Sequence, residues 1–319
     1  ELAIRYTDAG HILLSKQCEV YINGGSHTRK ILFSSDLGNI ATQDTRIFVE
    51  NFKPVSSANI AIMECTYCSK ERQCTKETYK KDIEKIKSVI EQYCIDNNAR
   101  VLIPSFSLDR TPYILWILYS LFGKDDNFKV PILIDSPLAN RLLDCYSSIL
   151  EGNKKELFDE MMSWKNVQRI IQPENSKAAI ADKGAKIILS SSGMLTAGRS
   201  IKWTQSILPR ESDCILFMGY SGEDTLAWKI KHGKDNKTIN INGKPFKNKA
   251  QIYDLKSFSS HMQRQDMINY YKSINCEKIY LVHGDSNKIE FKHDLEDAIS
   301  DCLKSTKVVA VNSGTKISL

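Results

Sequence analysis

The 319-residue sequence lacks several features that would place it in a specialised class of protein. It has no uninterrupted apolar run of about 18 residues, the length that a membrane-spanning helix requires. It has no internal repeat and no low-complexity segment, and its hydrophobic content of 42% argues against intrinsic disorder. These absences predict a globular protein that is long enough for two domains, or for one large domain with an insertion.

A secretion signal is also absent at the start, where the chain opens on Glu1-Leu2-Ala3 without a methionine. This opening leads us to expect a fragment or a processed chain. The nine cysteines are odd in number and scattered, which is typical of free thiols in a reducing compartment and not of a disulfide framework. We therefore expect a cytoplasmic protein with no membrane partner.

One Cys-x-x-Cys pair, Cys65 and Cys68, has no second pair elsewhere in the chain. Two such pairs would indicate a zinc ribbon. With a single pair, a metal site at these two cysteines is the weaker interpretation and a chance spacing is the stronger one.

The charge balance is mildly basic, with a formal net charge of +6. This balance is compatible with a polyanionic substrate, although many basic proteins bind none. Lys229, Lys231, Lys234 and Lys237 form a basic stretch near the end of a helix pattern. We interpret this stretch as a solvated face in preference to a nucleic-acid track.

The pattern of strands and helices changes twice along the chain. Short strand patterns such as HILLS and CEVYING fill residues 1–67. Strand and helix patterns then alternate over residues 68–250, which predicts a parallel sheet covered by helices. Residues 251–319, which begin with the strand pattern QIYDLKSF, are expected to complete the first, β-rich domain.

Histidines and carboxylates stand at turns and strand ends in the β-rich part. His11 follows Ala-Gly at a turn, where its ring can point at a ligand. Asp36 and Glu64 end two apolar strand patterns, and Glu64 needs a partner because its neighbours would bury it. His261 follows a Ser-rich turn, and His283 follows an apolar strand.

Taken singly, each of these residues has a structural explanation, such as a turn cap for Asp36. Taken together, histidine and aspartate are the donor set for zinc or another borderline metal. A carboxylate beside a metal pair can bridge both ions. A histidine paired with a glutamate is the usual arrangement for holding a proton donor in one orientation.

Eight short motifs follow one another in a recognisable order: DAGHILLS, FSSDLG, ECTY, IPSFSLDR, DSPLA, SSSGMLTAGR, SFSSH and LVHGD. This set resembles the metallo-β-lactamase superfamily, and within it the β-CASP nucleases. Those nucleases include the endonuclease subunit of the eukaryotic pre-mRNA 3′-end cleavage factor and its bacterial and archaeal ribonuclease relatives. The resemblance implies an α/β fold, an αββα sandwich that is incomplete at its N-terminus and carries an inserted β-CASP domain of parallel sheet and helices.

The resemblance also implies a role for each candidate residue. His11 matches a ligand of a first zinc ion, Asp36 the carboxylate that bridges two zinc ions, and His283 a ligand of the second. Glu64 matches the residue that orients His261, and His261 matches the general acid for the leaving oxygen. The complete site would hold two Zn²⁺ ions and hydrolyse phosphodiester bonds of single-stranded RNA.

The sequence departs from the family in small and large ways. Ser35 stands where the family usually has glycine, and Cys65 where it has serine; we expect these differences to tune packing. The large departure is that the principal metal motif, His-x-His-x-Asp-His, is missing, because the chain contains no His-x-His. Four expected ligands are therefore lacking, and the chain alone is expected to bind zinc weakly.

Several explanations of this gap stay open. The missing part of the first domain can have been cut off, or it can belong to another chain, with a homodimer as one form of such an assembly. Alternatively, the chain is a metal-free relative that binds RNA or protein. A metal-dependent hydrolase of small phosphoesters or thioesters is a further alternative, which the long insertion disfavours.

The turn SSSGMLTAGR is expected to contact a phosphate of the substrate. It places Ser192, Gly193 and backbone N–H groups before a helix start, an arrangement that suits an anion. Arg199 and Arg110 would add charge-assisted contacts. The alternative is a plain glycine turn between a strand and a helix.

Overall fold

The computed structural model describes residues 1–25, 27–69, 74–233, 237–284, 289–303 and 305–316. The strands in these ranges are β1 (Leu2–Asp8), β2 (Lys16–Asn23), β3 (Thr28–Phe33), β4 (Ile60–Glu64), β5 (Arg100–Pro104), β6 (Ile132–Ile134), β7 (Val167–Arg169), β8 (Lys186–Ser190), β9 (Cys214–Met218), β10 (Thr238–Ile241), β11 (Lys244–Lys247), β12 (Gln251–Leu255), β13 (Lys278–Val282) and β14 (Lys307–Ala310).

The helices in the same ranges are α1 (Lys76–Ile90), α2 (Arg110–Phe122), α3 (Pro137–Ile149), α4 (Gly152–Met162), α5 (Pro173–Ala181), α6 (Arg199–Ile207), α7 (Leu226–Lys231), α8 (Arg264–Ser273) and α9 (Ile289–Ser300). A 3₁₀ turn covers Ile40–Thr45, and a π-helical turn, Glu91–Asp96, extends α1. Among the described residues, no helix combines the length and the apolar character needed to cross a membrane.

The chain divides into two compact units, and the second is inserted in sequence between the two segments of the first. The first unit comprises Glu1–Lys76 and Ser260–Leu319, and the second comprises Glu77–Ser259. The second unit thus begins and ends later than the insertion expected at residues 68–250. Strand β12 lies in the second unit because it pairs in parallel with β9. Its residue Ile252 packs on the hydrophobic core of that unit. The expectation that this strand belongs to the first domain was wrong.

The described part of the first unit contains a sheet with the strand order β1-β2-β3-β4-β13-β14. Strands β1, β2 and β3 are antiparallel neighbours, whereas β3, β4, β13 and β14 run parallel. Two successive reversals make β1 point in the same direction as β3. The carboxyl ends of β1, β3, β4 and β13 therefore lie along one edge of this sheet.

One face of the first sheet is packed against two helices. Leu32, Ala61, Ile279 and Val308 lie in one row across four strands, and all are buried. The helices α8 and α9 cover this row with side chains spaced three or four residues apart, which is the spacing of one helix face. These side chains are Met267, Ile268, Tyr271, Leu295 and Ile299.

The opposite face, which we call the outer face, is also apolar but remains accessible in the described structure. Along edge strand β1, the residues Leu2, Ile4 and Tyr6 are 70%, 56% and 64% exposed. The register carries this face on to Phe33, which is 39% exposed. Folded domains normally cover contiguous apolar surface and long sheet edges. The outer face thus has the character of one half of a core between two sheets.

The second unit contains the parallel, helix-covered sheet that the sequence predicts. In the residues described, its strand order is β12-β9-β5-β8-β6-β7, and every neighbouring pair is parallel. Its core includes Leu102, Ile188 and Phe217, with Trp203 and Ile207 from α6 packed on them. The sequence patterns missed β7 and α5, which are short. Of the basic stretch near α7, Lys234 lies outside the described residues.

Candidate active site

The three strand-end candidates occupy neighbouring positions because their strands are neighbours. Glu64 is the last residue of β4, His283 directly follows β13, and Asp36 lies three residues after β3. These parallel strands pair side by side, with β4 in the middle. Ligands of α/β sheets bind outside the carboxyl ends of the strands. The topology therefore presents two carboxylates and one imidazole at the edge where a ligand is expected.

His11 reaches the same edge through a tight turn after β1. The sequence patterns predicted a strand at HILLS, and this was wrong, because Gly10 and Leu14 adopt left-handed φ angles of 74° and 63°. The Ser15 hydroxyl accepts hydrogen bonds from the backbone N–H groups of His11 and Ile12, at 3.0 and 3.1 Å. These contacts close the turn and fix the backbone that carries the imidazole.

Two glycines allow the turn that carries His11 to touch the loop that carries Asp36. The N–H of Gly38 donates to the carbonyl of Ala9 at 2.8 Å. A Cβ on Gly38 would lie 2.1 Å from the Gly10 oxygen, which is an impossible contact. The absence of a side chain at residue 38 is therefore what brings the two loops together.

His261 enters this group on a loop that pairs with the backbone after Asp36. The N–H of Met262 donates to the carbonyl of Leu37 at 2.8 Å, and the N–H of Asn39 donates to the carbonyl of Ser260 at 2.9 Å. The ring of His261 lies 4.3 Å from the ring of His11, measured between centroids, and 6.2 Å from the ring of His283.

Asp36 lies between two histidines and turns one oxygen toward each. Its Oδ2 atom is 3.7 Å from Nε2 of His11, and its Oδ1 atom is 3.0 Å from Nδ1 of His283. Two ligand atoms on one tetrahedral zinc ion, each bonded at about 2.0–2.2 Å, are about 3.3 Å apart. The two observed distances lie on either side of this value. These side chains therefore have the donor atoms and the spacing that metal binding at the Asp36 carboxylate requires.

The described residues also allow a second grouping of ligands. Donor atoms of His11, Asp36 and His261 all lie within 4.8 Å of one another. In this grouping His261 would be a ligand, whereas the sequence motifs assign it the role of general acid. The two roles differ in whether metal binding depends on the His261 imidazole.

Glu64 holds His261 from a buried position. One carboxylate oxygen, Oε1, lies 3.3 Å from Nδ1 of His261 and accepts the N–H of Leu37 at 2.7 Å. The other, Oε2, accepts the N–H of Thr66 at 3.0 Å. Burial raises the pKa of Glu64, but the hydrogen bonds and charge of His261 and the two N–H groups outweigh it, so that the net pKa is lowered. Glu64 is therefore a charged acceptor that keeps Nε2 of His261 directed away from it.

Two family models match the chain. The model described as "Beta-Casp domain" matches residues 111–230, and the model described as "Zn-dependent metallo-hydrolase RNA specificity domain" matches residues 247–300. Together they match more than half of the chain. The chain belongs to the β-CASP family of the metallo-β-lactamase fold. This membership confirms the fold class that the eight motifs suggested and implies a metal cofactor.

Curated proteins similar to this β-CASP chain have related names. "Ribonuclease TTHA0252" from Thermus thermophilus is 25% identical over 90% of this chain and 64% of its own length. "Transcription termination factor FttA" from Methanocaldococcus jannaschii is 26% identical over 96% of this chain and 48% of its own. "Endoribonuclease ysh1" from Schizosaccharomyces pombe is 26% identical over 88% and 36%. The chain thus spans about half the length of the curated relatives it matches.

A solved structure agrees on the fold alone. A protein of unknown function from Enterococcus faecalis V583 aligns with all of this chain and 64% of its own, with a TM-score of 0.53 and 9% identity.

The β-CASP motifs did not reveal every residue that contacts the candidate site. The Thr66 hydroxyl lies 3.3 Å from Nδ1 of His283 and donates to the His283 carbonyl at 3.2 Å. Arg46 donates from Nη2 to the carbonyl of His11 at 3.0 Å. Thr66 could have been found, because it stands two residues after Glu64 in the motif ECTY. Arg46 lies in no motif, and only the folded structure connects it with His11.

In the β-CASP unit, the turn expected to bind phosphate makes several hydrogen bonds within itself. The Ser192 hydroxyl accepts the N–H groups of Thr196 and Ala197 at 2.9 and 3.2 Å. The Ser192 N–H donates to the Ala197 carbonyl at 3.1 Å. These internal bonds use donors that the anion was expected to take. Gly193 lies beside Phe106, since a Cβ there would be 3.2 Å from the Phe106 nitrogen. Phosphate contact at Ser192 and Gly193 stays a prediction.

Arg199 was expected to contact phosphate, and the structure shows that its guanidinium also has partners within the protein. Its guanidinium donates to the buried carboxylate of Asp135 at 2.6 Å. It also donates to the carbonyls of Ile170 and Ile171, at 3.1 and 2.7 Å. The pairing with Asp135 was not predicted, because Asp135 lies far away in sequence and becomes a neighbour only when β6 and α6 come together. Phosphate contact at Arg199 stays a prediction.

Arg110 was expected to contact phosphate as well, and it is buried. Its Nη1 atom donates to the carbonyl of Met218 at the end of β9. Gly219, the next residue, has a φ of +139°, and a Cβ there would lie 2.9 Å from Nη1 of Arg110. Arg110 therefore ties α2 to the end of β9, and phosphate contact at Arg110 stays a prediction.

Proposed function

We propose that the complete protein hydrolyses phosphodiester bonds of single-stranded RNA in a zinc-dependent reaction. The observation that carries this proposal is the Asp36 carboxylate, which faces His11 with one oxygen and His283 with the other. The pairing of His261 with the buried Glu64 supports it, because that pairing supplies a proton donor beside the same carboxylate. The names of two relatives, a ribonuclease and an endoribonuclease, point to RNA as the substrate.

His11 and Asp36 would hold one zinc ion, and Asp36 and His283 would hold the other. Bound zinc supplies an acidified water molecule and polarises phosphoryl oxygens. Each ion would receive two ligands from these residues, whereas catalytic zinc usually has three protein ligands. Further ligands must therefore come from residues outside this group.

The residues of this chain would position the reaction and move one proton. Glu64 accepts the Nδ1 proton of His261, so the neutral or protonated ring presents Nε2 to the substrate. The proton at Nε2 would pass to the oxygen that leaves phosphorus when the chain is cut. The Thr66 hydroxyl lies near Nδ1 of His283, the ring nitrogen that also faces Asp36, and so helps to orient the exposed His283 ring.

We propose that another sheet layer packs on the outer face and brings the remaining ligands. The accessible row of Leu2, Ile4 and Tyr6 supports this, since a second layer would bury it at a gain of about 25 cal/mol for each Å² of apolar surface. The layer can belong to the same polypeptide, to a second copy of this chain or to a different protein. All nine cysteines lie among the described residues and form no disulfide, which supports a cytoplasmic location for the assembly.

The proposed activity predicts that zinc and RNA cleavage are lost together. We expect the active species to carry about two zinc ions per site. A chelator should lower the cleavage of a labelled single-stranded RNA by at least about a hundredfold, and added zinc should restore it. Metal content is measured by mass spectrometry and the mass of the active species by light scattering, which shows whether a second chain is present.

Two outcomes would contradict the proposal. Cleavage that persists after the metal has been removed would exclude the zinc-dependent reaction. If the protein binds RNA but neither holds metal nor cleaves RNA in any of its oligomeric states, the metal-free RNA-binding alternative would be supported. A single-stranded DNA of the same sequence is the control for the preference for RNA.

We further propose that two exposed aromatic rings of the second unit stack on RNA bases. Phe106 and Tyr220 are 44% and 48% exposed, and each follows its strand by two residues. Their strands, β5 and β9, are parallel neighbours, so both rings lie at the same sheet edge. Aromatic rings that stack on bases are the usual contacts of proteins that bind single strands.

Replacing both rings with alanine is expected to weaken RNA binding. Loss of one stacked base costs about 1–3 kcal/mol, so the KM for a single-stranded RNA should rise at least about tenfold, with kcat nearly unchanged. The control is Ile149→Ala, which removes an equally exposed apolar side chain at the end of α3. An unchanged KM in the double variant Phe106→Ala and Tyr220→Ala would rule out this contact.

A further inference from the structure

The Cys-x-x-Cys pair lies in the turn that directly follows Glu64. Cys65 and Cys68 are buried, and they flank Thr66 and Tyr67. We propose that Cys65 and Cys68 form a reversible disulfide with small disulfide oxidants and that this bond acts as a switch beside the candidate active site. Only the effect on activity depends on the proposed function, because formation of the bond can be measured directly.

The backbone already has the geometry that a disulfide between these residues requires. The N–H of Cys68 donates to the carbonyl of Cys65 at 3.2 Å, which closes a four-residue turn. Such a turn places its first and last Cα atoms less than about 7 Å apart, and disulfides span about 4.4–6.8 Å between Cα atoms. Bond formation therefore needs little movement of the chain.

Two cationic side chains lie near the pair, and a cation beside a thiol favours its reactive thiolate form. Arg264 donates from Nε to the carbonyl of Cys68 at 2.9 Å. The buried Lys292 approaches Cys65, since a Cβ on Gly284 would lie 2.7 Å from both the Cys65 sulfur and Cε of Lys292. The interaction with the neighbouring Cys65 thiol lowers the pKa of the Cys68 thiol, with support from both cations and against the effect of burial, whereas the interaction with Cys68 and burial raise the pKa of Cys65. Cys68 is therefore the sulfur that attacks an oxidant first.

The exchange balances in atoms and electrons. The Cys68 thiolate attacks one sulfur of a small disulfide such as glutathione disulfide, and one thiol leaves with a proton. Cys65 then attacks the Cys68 sulfur, which releases the second small thiol with the second proton. The protein loses two electrons and two protons, and the small disulfide gains them.

The new bond would disturb both halves of the candidate site. The Cys65 sulfur now donates to the carbonyl of Val282 at 2.9 Å, and Val282 directly precedes His283. Cys65 also stands between Glu64, which holds His261, and Thr66, which contacts His283. A disulfide removes the S–H donor and rotates the Cys65 side chain. The expected consequence is reduced cleavage in the oxidised protein.

The test is to incubate the folded protein with glutathione disulfide, trap the remaining thiols by alkylation and map the peptides. Trypsin releases residues 47–70 as one peptide that contains Cys65 and Cys68 and no other cysteine. We expect this peptide to lose two hydrogen atoms and to escape alkylation. Cys276 is the control for folding and should stay reduced, because burial raises the pKa of its thiol to about 11 and so disfavours the thiolate. The exposed Cys145 is the control for simple glutathione addition.

The variants separate the switch from general damage. Oxidation should lower cleavage at least about threefold in the native protein, and a dithiol reductant should restore it. Cys68→Ser should cleave normally and lose this response, and Cys65→Ser should also lose it. The inference fails if Cys65 and Cys68 can both still be alkylated under conditions that oxidise Cys145. It also fails if oxidation inhibits Cys68→Ser as strongly as the native protein. If the native protein never cleaves RNA, the peptide map still decides whether the disulfide forms.

Discussion

Asp36→Asn is expected to lower the cleavage of RNA at least a thousandfold, about 4 kcal/mol of transition-state stabilisation. Asp36 would touch both metal positions, since its two carboxylate oxygens lie 3.7 Å from His11 and 3.0 Å from His283. An amide removes the negative charge and one of the two oxygen ligands. Both ions should therefore bind more weakly, and their effects on the water and the phosphoryl group should fall together.

The measurement combines kcat for a labelled single-stranded RNA with the zinc content of each variant. Asp44→Asn is the matched control, since Asp44 is an exposed aspartate of the same unit that pairs with Lys76. The control should keep both zinc and activity. If Asp36→Asn retained its zinc and cleaved within tenfold of the native rate, the shared-carboxylate model would be wrong.

The sequence was sufficient to find Asp36, Glu64 and His283, because each follows an apolar strand and local patterns reveal strand ends. Their grouping required the strand order, which local patterns do not contain. Membership of the family, shown by the two matching models, agrees with the order of the eight motifs. Whether these residues bind metal stays a prediction that the variants described here test.

The residues that sequence patterns misplaced are those whose partners lie far away in sequence. The ion pair between Arg199 and Asp135 was not predicted, because the two residues are 64 positions apart in sequence. Strand β12 was placed in the wrong domain because its alternating pattern does not say which sheet it joins. The exposure of the outer face could not be predicted for a related reason. The alternation of Leu2, Ile4 and Tyr6 predicts a half-buried strand whether or not a second layer of structure is present.

His261→Gln is expected to lower kcat by about 10²–10⁴, the usual contribution of a general acid, without loss of zinc. If His261 is instead a ligand with His11 and Asp36, the variant will lose zinc as well. Metal content therefore distinguishes the two groupings that the distances allow.

Glu64→Gln tests the positioning of His261 and the pH dependence of stability. The folded-state pKa of Glu64 is lowered from its ordinary value of 4.5. Its contribution to the free energy of unfolding is therefore fully present above about pH 4.5 and is lost as pH falls through the folded-state pKa. The variant should be less stable than the native protein by about 1–3 kcal/mol at neutral pH, and the difference should shrink in acid.

The effect of Glu64→Gln on the reaction is expected to be a loss of about 10–100-fold in kcat, as is usual when the partner of a functional histidine is removed. Glu19→Gln is the matched control, because Glu19 is another buried glutamate of the same sheet with a lowered pKa and a cationic partner, Lys30. It should lose stability in a similar way but keep the native pH profile of kcat. A Glu64→Gln variant that behaved like this control would show that Glu64 supports the fold alone. A change in the pH profile that is confined to Glu64→Gln would instead identify Glu64 as the residue that orients the proton donor.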